Sequence, residues 1–161
     1  MSFRIREAVE ADLADLVTLN GIILKHHADL YPETFRSAVN PQEASDFLKS
    51  HMGVGGHKIL VAQEGCECIA YLWYELQYDQ NPLFKLPSRR LYVNHIFVLP
   101  RCQRMGVAAR LLDYVQEAGA AQGVTEVHLD TWAKNSEAQA FFKSQGFDTY
   151  RMYLRKNIDQ N

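Results

Sequence analysis

The sequence predicts a mixed α/β domain: a mostly antiparallel sheet with helices on both faces and one parallel strand pair. Three observations carry that expectation. Residues 91–99 form an apolar run broken only by Asn94 and His95, as expected of a central strand covered on both faces. A tight loop, Gln103-Arg104-Met105-Gly106-Val107-Ala108, follows it and opens a helical pattern that leads to another strand-like stretch at 125–132. A helix joining two strands of one sheet makes them parallel, through a right-handed crossover. Upstream, two strand-like stretches on either side of Glu64-Gly65 read as an antiparallel hairpin.

Taken in order, Phe3 and Ile5 alternate with Arg4 and Arg6, which suggests a short first strand. Leu13, Leu16, Val17, Leu19, Ile23 and Leu24 then recur near a 3.6-residue period, so a helix runs to about Leu30, with Asp12 as its cap and Pro32 just beyond its end. His26 and His27 fall in its last turns, where a cationic ring suits the helix dipole. Pro41 starts a second helix, with Ala44, Phe47, Leu48 and Met52 on one face, and Gly53, Gly55 and Gly56 stop it. The hairpin spans residues 57–63 and 68–78, and its second arm is rich in Ile69, Tyr71, Trp73, Tyr74 and Tyr78. Residues 79–88 hold Asn81-Pro82 and Leu86-Pro87 and form a loop of the kind that shapes substrate choice.

After the central strand, the helix begins at Arg104 or Met105 and turns Val107, Leu111, Leu112, Val115 and Ala118 inward, with Gly123 at its stop. A last helix begins at Asn135 or Ser136 and ends at Gly146. Residues 147–155 alternate, with Tyr150, Met152 and Leu154 on one face, and are expected to form a final strand before a frayed polar tail.

Composition narrows the possible partners. The chain has 161 residues, 47% of them hydrophobic and 22% charged, which fits a single domain with its own core. A net charge of −2 gives no general argument for nucleic acid or a membrane. Arg89, Arg90, Arg101 and Arg104 nevertheless gather around the tight loop, which favours a small anionic ligand there. Cys66, Cys68 and Cys102 make neither a disulfide framework nor a regular zinc-ligand set, so reduced thiols and no metal are expected. No secretory leader is visible, and no apolar run reaches the ~18–20 residues of a membrane span, so the cytoplasm is the expected location.

The tight loop carries the most chemistry. A helix start exposes backbone N–H groups that lack intrahelical partners, at the positive end of the helix dipole, and so binds phosphate-like anions. Gly106 lets the backbone approach such a group, and Ala108 keeps the next turn narrow.

Two motifs together resemble a known family, the GCN5-related N-acetyltransferases. Val98-Leu99-Pro100 followed by Gln103-Arg104-Met105-Gly106-Val107-Ala108 looks like the family's pyrophosphate loop for acetyl-CoA. Downstream, Asn135-x-x-Ala138-x-x-Phe141-Phe142-x-x-x-Gly146-Phe147 looks like its pantetheine-lining motif. The resemblance covers the chain in element order. It implies that the strand through Ile96, Phe97 and Val98 bulges and splays from the strand ending near Trp132, leaving an edge for the pantetheine amides. It also implies that the N–H groups of Gln103, Arg104, Met105, Gly106, Val107, Ala108 and Ala109 hold the pyrophosphate, that Arg101 or Arg104 adds charge, and that Asn135 and Phe142 line the cofactor arm.

The same resemblance implies direct transfer of an acetyl group to a primary amine of a small molecule or a protein. Such a reaction needs a base for the amine proton and a donor to the thioester carbonyl, for which the Val98 N–H is the candidate. The family's usual base positions lie on the central strand just before the bulge, which the resemblance carries onto Tyr92 and Asn94, neither an obvious base. His95 has a suitable pKa, but strand alternation puts it opposite Asn94. Glu75 on the neighbouring strand is a further candidate, while Asp130 is expected to support structure near the splay. The family's frequent acid is a tyrosine, and here that position is Phe142, which leaves Tyr150 and Tyr153 as candidates by type alone. Phe142 thus keeps open a second reading, a CoA-binding sensor or interaction module without catalysis. A nucleotide phosphate-binding protein is disfavoured because no Gly-Lys-Ser/Thr follows the loop. Homodimers are common among similar proteins, so a homodimer is one possible assembly, and the sequence leaves the oligomeric state open.

Overall fold

The computed structural model describes residues 2–79 and 83–158; Asn81-Pro82 and the last residues of the polar tail lie outside them. The chain divides into two compact units, Met1–Asp130 and Thr131–Asn161.

In the first unit five strands lie side by side in chain order. The strands β1 (Arg4–Glu7), β2 (His57–Glu64), β3 (Glu67–Tyr78) and β4 (Arg89–Val98) are antiparallel neighbours. Strand β5 (Val127–Leu129) runs parallel to β4, joined to it through helix α3 (Val107–Ala120). Helices α1 (Leu13–Leu30) and α2 (Pro41–Ser50) cover one face. Leu13, Leu16 and Leu19 of α1 and Leu48 of α2 pack on Ile59, Val61, Tyr71 and Trp73, which share a face by strand alternation. The alternate residues Leu60, Ala70, Leu72, Leu91 and Val93 are buried on the α3 side, with Val107, Leu111, Leu112 and Val115 of that helix. Each fully buried leucine of these two layers contributes about 2 kcal/mol by leaving water.

The helix starts show how local chemistry sets the entry points. Asn40 caps α2, its Oδ1 accepting from the N–H groups of Gln42 at 2.8 Å and Glu43 at 3.2 Å. Asp12, expected to cap α1, does not. Its carboxylate takes a bidentate pair from Arg6, at 2.6 and 2.8 Å, and the N–H of Val9 at 2.8 Å. A charged fork outcompetes a single backbone donor. The Arg6 hydrogen bonds hold the Asp12 carboxyl below its usual range, against the opposing effect of burial.

Two strands differ from expectation. The stretch 125–132 pairs with β4 only over Val127–Leu129. Residues 147–158 carry no strand at all, and Met152, Tyr153 and Leu154 are exposed. Alternation supplies a face, but a strand also needs a neighbour to satisfy its backbone, and the pattern does not name one.

The second unit is built around helix α4 (Ser136–Ser144). Asn135 caps it, with Oδ1 accepting from Ala138 N–H at 3.2 Å. Gly146 sits at φ 84°, and the N–H of Phe147 returns to the Phe142 carbonyl at 3.1 Å, closing the helix end. Phe142 is buried, with the rings of Phe141 and Phe147 at 5.4 and 5.8 Å.

Candidate active site

Strand β4 carries one residue more than β3 matches. Trp73 pairs with His95 and Tyr74 with Val93, so Asn94 has no partner of its own and forms a β-bulge. The bulge reverses the phase of the strand. Before it, Leu91 sends its N–H toward β5, to Glu126 at 3.0 Å; after it, Leu99 sends its N–H toward β3, to Ile69 at 2.9 Å. Backbone groups alternate along a strand, so the N–H and carbonyl of Val98 face the outer edge. Gln103 Nε2 meets that carbonyl at 3.1 Å. Beyond Val93 the outer edge has no strand neighbour among the described residues, because β5 pairs only with Leu91, Tyr92 and Val93. The expected splay is therefore present, but its bulge lies at Asn94 and not within 96–98.

The tight loop follows at once. A single 3₁₀ turn, Pro100–Cys102, leads to Gln103, whose N–H is taken by the Pro100 carbonyl at 3.3 Å. Gln103 thus contributes less to the loop than expected. The N–H groups of Arg104, Met105 and Gly106 donate to no backbone or side chain among the described residues, and the first helical bond of α3 is Arg110 N–H to Gly106 at 3.0 Å. Val107, Ala108 and Ala109 add the unpaired donors of the first helical turn. Arg104 at φ 63° and Gly106 at φ 80° are both left-handed, and together they wrap the backbone so that successive N–H groups converge. For Arg104 this conformation costs about 1 kcal/mol. The nearby arginines are mostly engaged: Arg101 with Glu67, Arg89 with the Gln122 carbonyl, and Arg90 with Asp79 at 3.6 Å. Arg104 keeps its side chain exposed, without a partner among the described residues.

On the α1 and α2 face, the bulge gathers polar side chains. Glu75 Oε1 accepts from Asn94 Nδ2 at 3.3 Å and from Gln77 Nε2 at 3.1 Å, and Oε2 lies 3.5 Å from His57 Nε2. Tyr92 is the cross-strand partner of Glu75, and its hydroxyl donates to Asp130. His95 falls on this side as well, beside Tyr71 and Trp73, contrary to the alternation that separated it from Asn94; the extra residue cancels that alternation.

Hydrogen-bond bookkeeping fixes the state of His95. The Tyr71 hydroxyl accepts from Asn20 Nδ2 at 3.1 Å and therefore has its proton for His95 Nδ1, 3.2 Å away. Burial raises the Tyr71 pKa, which keeps that proton in place. Burial, with His27 adding to it, pushes the His95 pKa down to about 4. At neutral pH the ring is neutral, with its proton on Nε2, and acts as a donor. At His51 the Nδ1 position is a donor instead: it lies 2.8 Å from the Phe47 carbonyl, so Nδ1 carries a proton.

The structure thus puts Glu75, Tyr92, Asn94 and His95 on one face of the sheet, with Val98 at the end of the same strand and the loop just beyond it. Tyr150 and Tyr153 lie in the exposed segment 148–158 of the second unit. Of the cysteines, Cys66 is exposed, Cys68 and Cys102 are buried, and burial pushes the Cys68 thiol up to about 12, where it is inert. His57, Trp73 and His51 carry no role in the sequence reading. Their signal was the shared phase of His57 with Ile59 and Val61, which puts an imidazole at the rim of a buried face.

Solved structures share this architecture. A mutant of the BH1408 protein from Bacillus halodurans matches with a TM-score of 0.88 at 19% identity, over 96% of this chain and 99% of that one. The structure of AAC(6')-Iy in complex with the bisubstrate analog CoA-S-monomethyl-acetylneamine matches with a TM-score of 0.71 at 20% identity, over 98% and 100% of the two chains. The fold is thus one seen in acetyltransferases. The model of the Acetyltransferase (GNAT) family matches residues 24–147, and the chain belongs to that family. A relative described as the uncharacterized N-acetyltransferase YhfO, from Bacillus subtilis, is 27% identical over 146 residues, 89% of each chain.

Proposed function

We propose that the whole chain is one acyltransferase domain that moves an acetyl group from acetyl-CoA to a primary amine, of a small molecule or of a protein, by direct attack within a ternary complex. The observation that carries this reading is the continuity, along one strand, of an open edge reaching Val98 and a loop of unclaimed N–H groups from Arg104 to Ala109. Pantetheine amides suit such an edge, and pyrophosphate oxygens suit such a loop, so the residues fit acetyl-CoA. When bound, acetyl-CoA supplies an acyl group activated as a thioester. Arg104 adds positive charge at the phosphates, and the Val98 N–H donates to the carbonyl oxygen as negative charge develops there.

Glu75, held by Asn94 at the point where the edge opens, receives the amine proton. His95 already holds its Nε2 proton and contributes a donor. Asn135 uses Oδ1 as a helix cap, which leaves its Nδ2 as a donor. Phe142 has no proton to give, so the thiolate leaves without acid help from that position.

Phe142 also favours the second reading, a CoA-binding module without catalysis. One experiment separates the two: calorimetry with acetyl-CoA, together with release of free CoA thiol across a panel of amines. Amine-dependent release supports the transferase. Tight binding with no acceleration by any amine supports the module, and failure to bind removes both.

A further inference from the structure

We propose that His57 is a positioning residue of this reaction: locked by Trp73, it directs its Nε2–H at Glu75 and holds that carboxylate ready for the amine proton. The inference rests on the acetyltransferase reading above.

The indole N–H of Trp73 is only a donor, and it lies 3.2 Å from His57 Nδ1. His57 Nδ1 must then accept, and the ring proton sits on Nε2. That nitrogen faces Glu75 Oε2 at 3.5 Å. Asn94 and Gln77 donate to the other oxygen of the same carboxylate. Each oxygen of Glu75 therefore faces an N–H group from a different part of the sheet.

The arrangement is set by register rather than by a loop. His57 and Glu75 are cross-strand partners on β2 and β3, and Trp73 lies two residues before Glu75 on the same face. The His51 ring packs edge-on to His57, with centroids 4.9 Å apart, and tilts over Trp73 at 4.8 Å. The side chains of His57 and Glu75 are 22% and 21% exposed, sheltered yet open to an incoming group. At 3.5 Å the contact is longer than a formed hydrogen bond, as catalytic contacts often are without substrate.

In the step itself an N–H bond of the substrate's ammonium form breaks, its electron pair stays on nitrogen as the attacking lone pair, and the proton passes to the Glu75 carboxylate. His57 keeps its Nε2 proton throughout.

The test uses the most active amine from the panel. His57→Phe keeps a ring but loses both nitrogens, and should lower kcat about tenfold or more while the KM for acetyl-CoA stays put. His57→Gln keeps a donor and an acceptor, and should recover part of the loss. Trp73→Phe should lower kcat in the same direction. Nitrogen-15 NMR at neutral pH should show the His57 proton on Nε2, with a resonance that moves in Glu75→Gln. A folded His57→Phe protein with unchanged kcat, or a His57 proton found on Nδ1, overturns the proposal. If no amine turns over, the transferase reading fails, and the NMR result still decides the tautomer.

Discussion

Asn94 donates its side-chain amide to Glu75 Oε1 at 3.3 Å, and Asn94 is the extra residue that makes the bulge of β4. The irregularity that opens the strand edge is thus tied to the carboxylate beside it. Glu75→Gln keeps the shape and removes the charge. Steady-state assays should show kcat reduced about 100-fold, the effect typical of losing a general base. Calorimetry should show acetyl-CoA affinity unchanged. A variant as fast as the wild type would remove Glu75 from proton transfer.

Gly106 should be intolerant of a side chain for a reason distinct from packing. Its φ is 80°, and a Cβ added there would meet nothing within 4 Å, so the new group would project into the open space before the loop. Gly106→Val should weaken acetyl-CoA binding by at least about tenfold, combining backbone strain with loss of the cradle. An unchanged dissociation constant by calorimetry would sink the loop assignment.

The buried state of His95 makes a prediction about acid. Its pKa is about 4 in the folded chain, against about 6.5 unfolded. Between those values the unfolded chain binds more protons, so stability rises with pH across the window. The contribution is complete above about pH 6.5 and is lost toward pH 4, amounting to about 3 kcal/mol at most. Urea unfolding at pH 7 and pH 4.5 should show a smaller difference in His95→Gln than in the wild type. Equal differences would mean that the ring is protonated in the folded state.

Asp12 acts in the same acid range by a different route. Its folded pKa is lowered by Arg6, so its contribution is present above the unfolded value and disappears as pH falls through the folded one. Asp12→Asn leaves Arg6 facing a neutral amide and should cost about 1–3 kcal/mol, read as a shift of the denaturant midpoint at pH 7. The acid limb of its stability profile should also flatten. A midpoint equal to that of the wild type would show that the pair is offset by its desolvation.

How much of this was legible in the sequence depends on the range of the forces involved. The helices from Leu13 to Leu30 and from Val107 to Ala120 follow from apolar spacing, which is a local property. The tight turn that opens α3 was legible because Gly106 and the helix start are contiguous in sequence. The position of the bulge was not, since an apolar run reads the same wherever the extra residue falls; only the adjacent polar pair Asn94-His95 marked it. The fate of Asp12 was hidden because a cap and an ion pair ask for the same carboxylate, and only the fold brings Arg6 within reach. The Trp73–His57–Glu75 arrangement depends on β2–β3 register, which no single stretch encodes.

The phase reversal at Asn94 makes strand length itself a functional variable. Upstream, odd-numbered Leu91 and Val93 are closed from solvent; downstream, even-numbered Val98 is. The two halves of β4 consequently obey opposite substitution rules, and a hydrophobic-to-polar scan should show its tolerant positions switch parity at Asn94. Removing that one residue would turn the downstream half inside out, exchanging Val98 with Phe97 between the two cores. At this point of the chain the count of residues is constrained as tightly as their identity, and homologous sequences should be alignable through β4 without a gap.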